Sequence, residues 1–231
     1  MLRGPQNLPE RLLEVRQRMA GAAARARSAQ SVTLLAVTKA QPAEVVRAAA
    51  NLGLSDFGES YLQEALEKLD ALQDRTLTWH FVGRIQANKT RQIAERFSWV
   101  HAVDRLRIAA RLSEQRPHYA PPLNVCLQVR LGDEASKGGA TVEELPDLAR
   151  AVAQLPRLKL RGLMCIPPEE TEAARQHAWF RELRRLYETL NAGGAALDTL
   201  SMGMSGDFEA AIEEGATIVR IGTALFGPRG G

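Results

Sequence analysis

The segment VTLLAVTKAQPAEVVRAAANL, residues 32–52, decides how the rest of the chain is read. It opens with an apolar run through Val37, closes it on Thr38 and Lys39, and resumes at Pro42 with Val45, Val46, Ala49 and Leu52 at helical spacing. A short apolar run rich in β-branched residues predicts a strand buried on both faces. Pro suits the first turn of a helix, and spacings of three and four put the apolar residues on one helical face. This is one strand–helix unit, and the pattern repeats. Further strands are expected at 55–58, 77–83, 99–103, 123–130, 158–164, 199–202 and 217–221, with helices beginning near Tyr61, Gln86, Arg105, Thr141, Glu170, Asp207 and Thr223. Eight strands separated by helices imply a parallel sheet, and eight such units in about 200 residues match an α/β chain folded as a (β/α)8 barrel of the TIM type. A doubly wound open sheet is the alternative. With no repeat or linker to divide it, the chain is expected to be a single domain over residues 1–231, residues 1–30 forming an N-terminal amphipathic helix packed on the barrel.

Composition removes other classes. Of 231 residues, 45% are hydrophobic and 25% charged, with 18 Gly and 11 Pro scattered through the chain, which is globular usage. No apolar run approaches the roughly 18 residues a membrane span needs. The net charge of +3 is concentrated in residues 1–30, which hold six Arg against two Glu and leave 24 basic and 25 acidic residues elsewhere. There Leu8, Leu12, Val15, Met19, Ala22 and Ala26 make one apolar stripe, so most of the arginines are expected on a solvated face. No aromatic residues interleave them as a nucleic-acid surface would require, and Glu10 and Glu14 disfavour a transit peptide. Cys126 and Cys165 lack metal-site spacing and read as reduced core thiols of a cytoplasmic protein.

In such a barrel the strand ends converge on one mouth, and anions commonly bind after strands seven and eight. Here the seventh strand leads into Ser201-Met202-Gly203-Met204-Ser205-Gly206-Asp207 and the eighth into Arg220-Ile221-Gly222-Thr223-Ala224. Small residues let backbone amides reach an anion and hydroxyls add donors; helix capping by Ser205 and Asp207 is the plainer alternative. Lys39 ends the first strand, where desolvation favours a neutral amine able to attack a carbonyl, although a lysine there can also snorkel to solvent. Arg220 ends the eighth strand, next to the first in a closed barrel. An aldehyde on Lys39, a phosphate in the two loops and a cation between them describe pyridoxal phosphate.

These residues resemble the pyridoxal phosphate homeostasis proteins, also called the YggS/PROSC family. The resemblance is carried, in the family's order, by Leu34-Leu35-Ala36-Val37-Thr38-Lys39, Phe57-Gly58-Glu59-Ser60-Tyr61, Trp79-His80-Phe81-Val82-Gly83 with Gln86, Asn88 and Lys89, Asp104-Arg105, Arg161-Gly162-Leu163-Met164, and the two loops after strands seven and eight through Gly227. It implies a barrel like the N-terminal domain of alanine racemase, with Lys39 as the Schiff-base lysine and Arg220 facing the pyridine nitrogen. It further implies that Met204, Ser205, Gly222 and Thr223 surround the phosphate. Where the family commonly has Gly-Glu-Asn-Tyr, this chain has Ser60 in place of Asn, a shorter group beside the cofactor.

Other candidates are weaker. Lys137, in a Ser-Lys-Gly-Gly loop, reads as a surface lysine near the mouth. His80 and His177 read as packing histidines, and His101 and His118 have no partner nameable from sequence. No metal site is expected. An arginine at the pyridine nitrogen opposes its protonation and leaves a poor electron sink, and none of Tyr61, Tyr119 and Tyr187 stands out as a second base. The expectation is a binder with no catalytic residues that regulates pyridoxal phosphate supply, a slow amino-acid racemase being the alternative. Expected partners are pyridoxal phosphate and apo-enzymes that use it, with neither nucleic acid nor membrane, and the chain is expected to be monomeric.

Overall fold

The computed structural model describes residues 7–26, 31–132 and 138–228. Lys137 lies outside the described residues. Eight parallel strands close into a barrel in sequence order: β1 (Thr33–Val37), β2 (Asp56–Glu59), β3 (Thr78–Phe81), β4 (Trp99–Val103), β5 (Leu123–Val129), β6 (Leu158–Cys165), β7 (Thr199–Met204) and β8 (Ile218–Ile221). Closure is made by β1 against β8, with Leu35 opposite Arg220 and Ala36 opposite Ile221. The open-sheet alternative is thereby excluded.

The helices are α1 (Leu8–Arg25), α2 (Ala43–Asn51), α3 (Leu62–Ala71), α4 (Thr90–Arg96), α5 (Leu106–Gln115), α6 (Leu145–Ala153), α7 (Ala173–Ala192), α8 (Phe208–Glu213) and α9 (Thr223–Phe226). Outward residues such as Ala36, Phe57 and Val100 are fully buried beneath them. In α1, Leu8, Leu12, Val15 and Ala22 are buried. Two of its arginines reach α8: Arg18 forms a fork on Glu209 at 3.0 and 2.8 Å and lies 4.6 Å over the Phe208 ring, and Arg25, itself solvent-exposed, pairs with Glu213 at 2.7 Å. Part of the cationic face expected to be solvated thus docks α1 on α8. No helix among the described residues is long and apolar enough to cross a membrane.

A network of polar side chains runs through the lumen beside apolar residues such as Leu35. Near the floor, Arg161 holds Asp198 at 2.8 and 2.9 Å and Asn124 Oδ1 at 2.8 Å, and its guanidinium lies 4.6 Å over Trp99. That floor lies at the opposite end of the barrel from the loops that carry Lys39 and Ser205.

Candidate functional site

Lys39 follows β1 and is half-buried; Ser60 follows β2, and Ser205, Gly222 and Thr223 follow β7 and β8. The fold therefore brings every expected site residue to one end of the barrel. The tightest junction joins the last two loops. Ser205 Oγ accepts from the amides of Gly222 at 3.3 Å and Ala224 at 3.2 Å. A side chain on Gly222 would meet the Val37 carbonyl oxygen at 3.3 Å, so the loop lies against the end of β1, two residues before Lys39. Gly203 takes φ +91°, and a Cβ there would come within 2.6 Å of Ala211 Cβ, so only glycine fits this turn. Met204 is exposed, and its amide is donated to Asp207 Oδ1 at 2.6 Å, leaving Ser205, Gly222 and Ala224 as the convergent polar atoms of the two loops. Both amides are satisfied by the Ser205 oxygen, and the Ser205 hydroxyl keeps its own hydrogen to donate to an anion such as a phosphate.

Arg220 is buried beneath them. Its guanidinium donates to the Ser201 carbonyl at 2.7 Å, the Ser201 hydroxyl at 3.0 Å and the Cys165 carbonyl at 2.8 Å. Burial lowers its pKa below the usual arginine value. Both cysteines are buried without a disulfide, and desolvation pushes each thiol up to about 12. They are inert reduced thiols.

A hydrogen-bonded chain continues from Arg220 across the lumen. Ser201 Oγ lies 2.7 Å from His101 Nδ1, His101 Nε2 lies 2.9 Å from His80 Nδ1, and His80 Nε2 lies 3.1 Å from Asp56 Oδ1. Because β4 and β7 are not neighbours in the sheet, the His101–Ser201 bond must cross the barrel interior. The carboxylate of Asp56 fixes the polarity. His80 donates to it from Nε2 and accepts at Nδ1 from His101, whose Nδ1 accepts from Ser201. Burial lowers the pKa of both rings, that of His101 well below the ordinary value with His80 and Arg220 adding to the effect; Asp56 opposes the shift at His80. Sequence reasoning missed this chain because its links join residues up to 100 positions apart.

A second cluster sits behind Lys39. Lys68, on α3, donates to the Thr38 carbonyl at 2.6 Å, Glu59 Oε1 at 2.7 Å and Glu64 Oε1 at 2.5 Å. Burial pushes the Glu59 carboxyl up, with Lys68 pulling against it. From sequence, Glu64 and Lys68 are an ordinary i,i+4 helix pair; nothing there signals that Lys68 is buried.

His177 is a satisfied histidine, bonded to Glu214 at 3.1 Å where α7 meets the end of α8. Gln86 and Lys89 line a groove beside the mouth with Ser60 and Tyr61. Among the described residues no group of three or more His, Cys, Asp or Glu is placed to hold a metal ion.

Residues 13–230 match the family model of the alanine racemase N-terminal domain. The pyridoxal phosphate homeostasis protein of Pseudomonas aeruginosa is 61% identical over 223 residues, 96% of each chain. That of Escherichia coli K12 is 48% identical over 227 residues, 96% of this chain and 97% of its own. Among solved structures, PipY of Synechococcus elongatus with pyridoxal phosphate bound superposes with a TM-score of 0.85 at 37% identity, covering 96% of this chain and all of that one (100%). Alanine racemase of Corynebacterium glutamicum, at 19% identity and a TM-score of 0.67, shares the fold over 91% of this chain and 60% of its own. The chain belongs to the pyridoxal phosphate homeostasis protein family, built on the alanine racemase N-terminal-domain barrel.

Proposed function

We propose that the barrel mouth binds pyridoxal 5'-phosphate reversibly, as a Schiff base with Lys39, and that the protein regulates supply of the cofactor without strong catalysis. The observation that carries this is the junction of Ser205 with Gly222 and Ala224, set against the end of the strand that bears Lys39. Ser205, Gly222 and Thr223 would surround the phosphate, the two hydroxyls donating to it, with Met204 at its edge. Ser60 would stand beside the ring, and Arg220 would offer a donor to the pyridine nitrogen. When bound, pyridoxal phosphate supplies an aldehyde and an electron-accepting ring. A guanidinium can only donate, so Arg220 disfavours a protonated ring nitrogen and weakens that electron sink.

The names of the homologues and the pyridoxal phosphate in PipY support the same assignment. The protein acts as a cytoplasmic monomer over one domain that passes the cofactor to apo-enzymes. Titrating purified protein with pyridoxal phosphate while following visible absorbance tests the binding. Saturable, phosphate-dependent absorbance that Lys39→Ala shifts is expected, and a featureless titration would reject it.

A further inference from the structure

Buried ion clusters are expensive, since desolvation of each charge must be recovered from its partners. This protein places one directly behind Lys39, where an apolar residue on α3 would pack the same space. Lys68 is 3% exposed and Glu59 fully buried, and the second oxygen of Glu59 has no hydrogen-bond partner among the described residues. The contacts converge on two residues. Thr38 is held twice, its carbonyl by Lys68 at 2.6 Å and its hydroxyl by Glu59 Oε1 at 2.5 Å. Ala40 is held by its amide, which donates at 2.7 Å to the same Glu64 oxygen that receives Lys68. Ala40 takes φ +61°, a left-handed conformation that a non-glycine residue keeps only where its surroundings impose it. Lys39 is the residue between these two anchors.

We propose that Lys68, acting with Glu59 and Glu64, is the positioning residue of Lys39: it clamps the backbone on both sides and aims the amine at an aldehyde whose phosphate the Ser205–Gly222 junction holds. The inference rests on the Schiff-base assignment above. In that step the neutral amine of Lys39 adds to the aldehyde carbon, a C=N bond replaces C=O, and the carbonyl oxygen leaves as water with the two amine hydrogens. No oxidant or reductant is needed. The clamp acts by removing the freedom Lys39 would otherwise lose on reaction.

The test compares pyridoxal phosphate with pyridoxamine phosphate, which carries the same ring and phosphate but no aldehyde. Lys68→Met is expected to weaken pyridoxal phosphate binding roughly 3- to 10-fold, the value of ordering one long side chain. The borohydride-trapped fraction should fall with it, while pyridoxamine phosphate binds as to wild type. Glu64→Ala, at a partly exposed position, should shift the same comparison in the same direction and stands in if Lys68→Met does not fold. In ligand-free protein either variant should speed hydrogen exchange at the Ala40 amide. Unchanged pyridoxal phosphate binding, or an equal loss for both ligands, would overturn the clamp. Failure of wild type itself to trap cofactor on Lys39 would instead reject the Schiff-base assignment, and the Ala40 exchange would still report on the anchors.

Discussion

Ser205 and Gly222, 17 positions apart, meet at the mouth of the barrel, where the serine hydroxyl accepts the glycine amide at 3.3 Å. The contact gathers the loops after β7 and β8 into one donor surface and presses it against the end of β1. Substituting Ser205 or Thr223 by Ala should therefore cost one charge-assisted hydrogen bond to phosphate, about 1.5–3 kcal/mol, or roughly 10- to 150-fold in affinity. Equilibrium dialysis with pyridoxal phosphate and with pyridoxal separates the phosphate contribution. Equal affinity for the two would reduce the loops to helix caps.

Arg220 also supports the barrel wall, since it satisfies two backbone carbonyls and a hydroxyl inside it. Arg220→Gln should destabilise the ligand-free protein by at least about 2 kcal/mol in urea, because buried acceptors lose their donors. Arg220→Glu would place a carboxylate against the same two carbonyl oxygens and should be worse. Unchanged stability in both would leave Arg220 with a ligand role alone.

The two lumen histidines give stability a defined pH dependence. Their folded pKa values lie below the ordinary 6.5, with burial the leading cause, so unfolded chains take up protons there while the native rings remain neutral. Their contribution is complete above about pH 6.5 and is lost as pH falls through the folded values, by up to about 1.4 kcal/mol per pH unit for each ring. Urea midpoints between pH 8 and 5.5 should show this slope below about pH 6.5, and His101→Gln should reduce it. A flat wild-type profile would mean that the rings titrate normally.

The eight strands were legible because each is a short apolar run bounded by turn residues; Trp99–Val103 falls where the pattern puts it, and the others differ at their ends. The mouth residues were legible because barrel topology alone carries strand ends to one place. His101 and Lys68 were not. A histidine that bonds across the lumen and a lysine buried by its own helix depend on three-dimensional proximity, which no local spacing encodes. The direction of Arg18 and Arg25 was missed for the same reason, since their partners lie on α8.

Loaded protein should exchange the α-proton of alanine for deuterium no faster than free pyridoxal phosphate does. In the proposed site Arg220 would oppose a protonated ring, and two tyrosines are otherwise engaged or remote from the mouth loops: Tyr187 donates to the Leu197 carbonyl at 2.8 Å, and Tyr119 stands 91% exposed in the loop before β5. Tyr61 remains at the rim, 58% exposed. NMR of alanine in deuterium oxide checks this. Rapid exchange abolished by Tyr61→Phe would contradict the non-catalytic reading and make Tyr61 a base.

The central claim is that Lys39 carries the cofactor. Borohydride reduction of the native loaded protein, followed by peptide mass mapping, reads the attachment site directly. A single pyridoxyl phosphate group on Lys39, absent from Lys39→Ala, is the predicted result; stoichiometric label on Lys89 or Lys137 with Lys39 unmodified would contradict it.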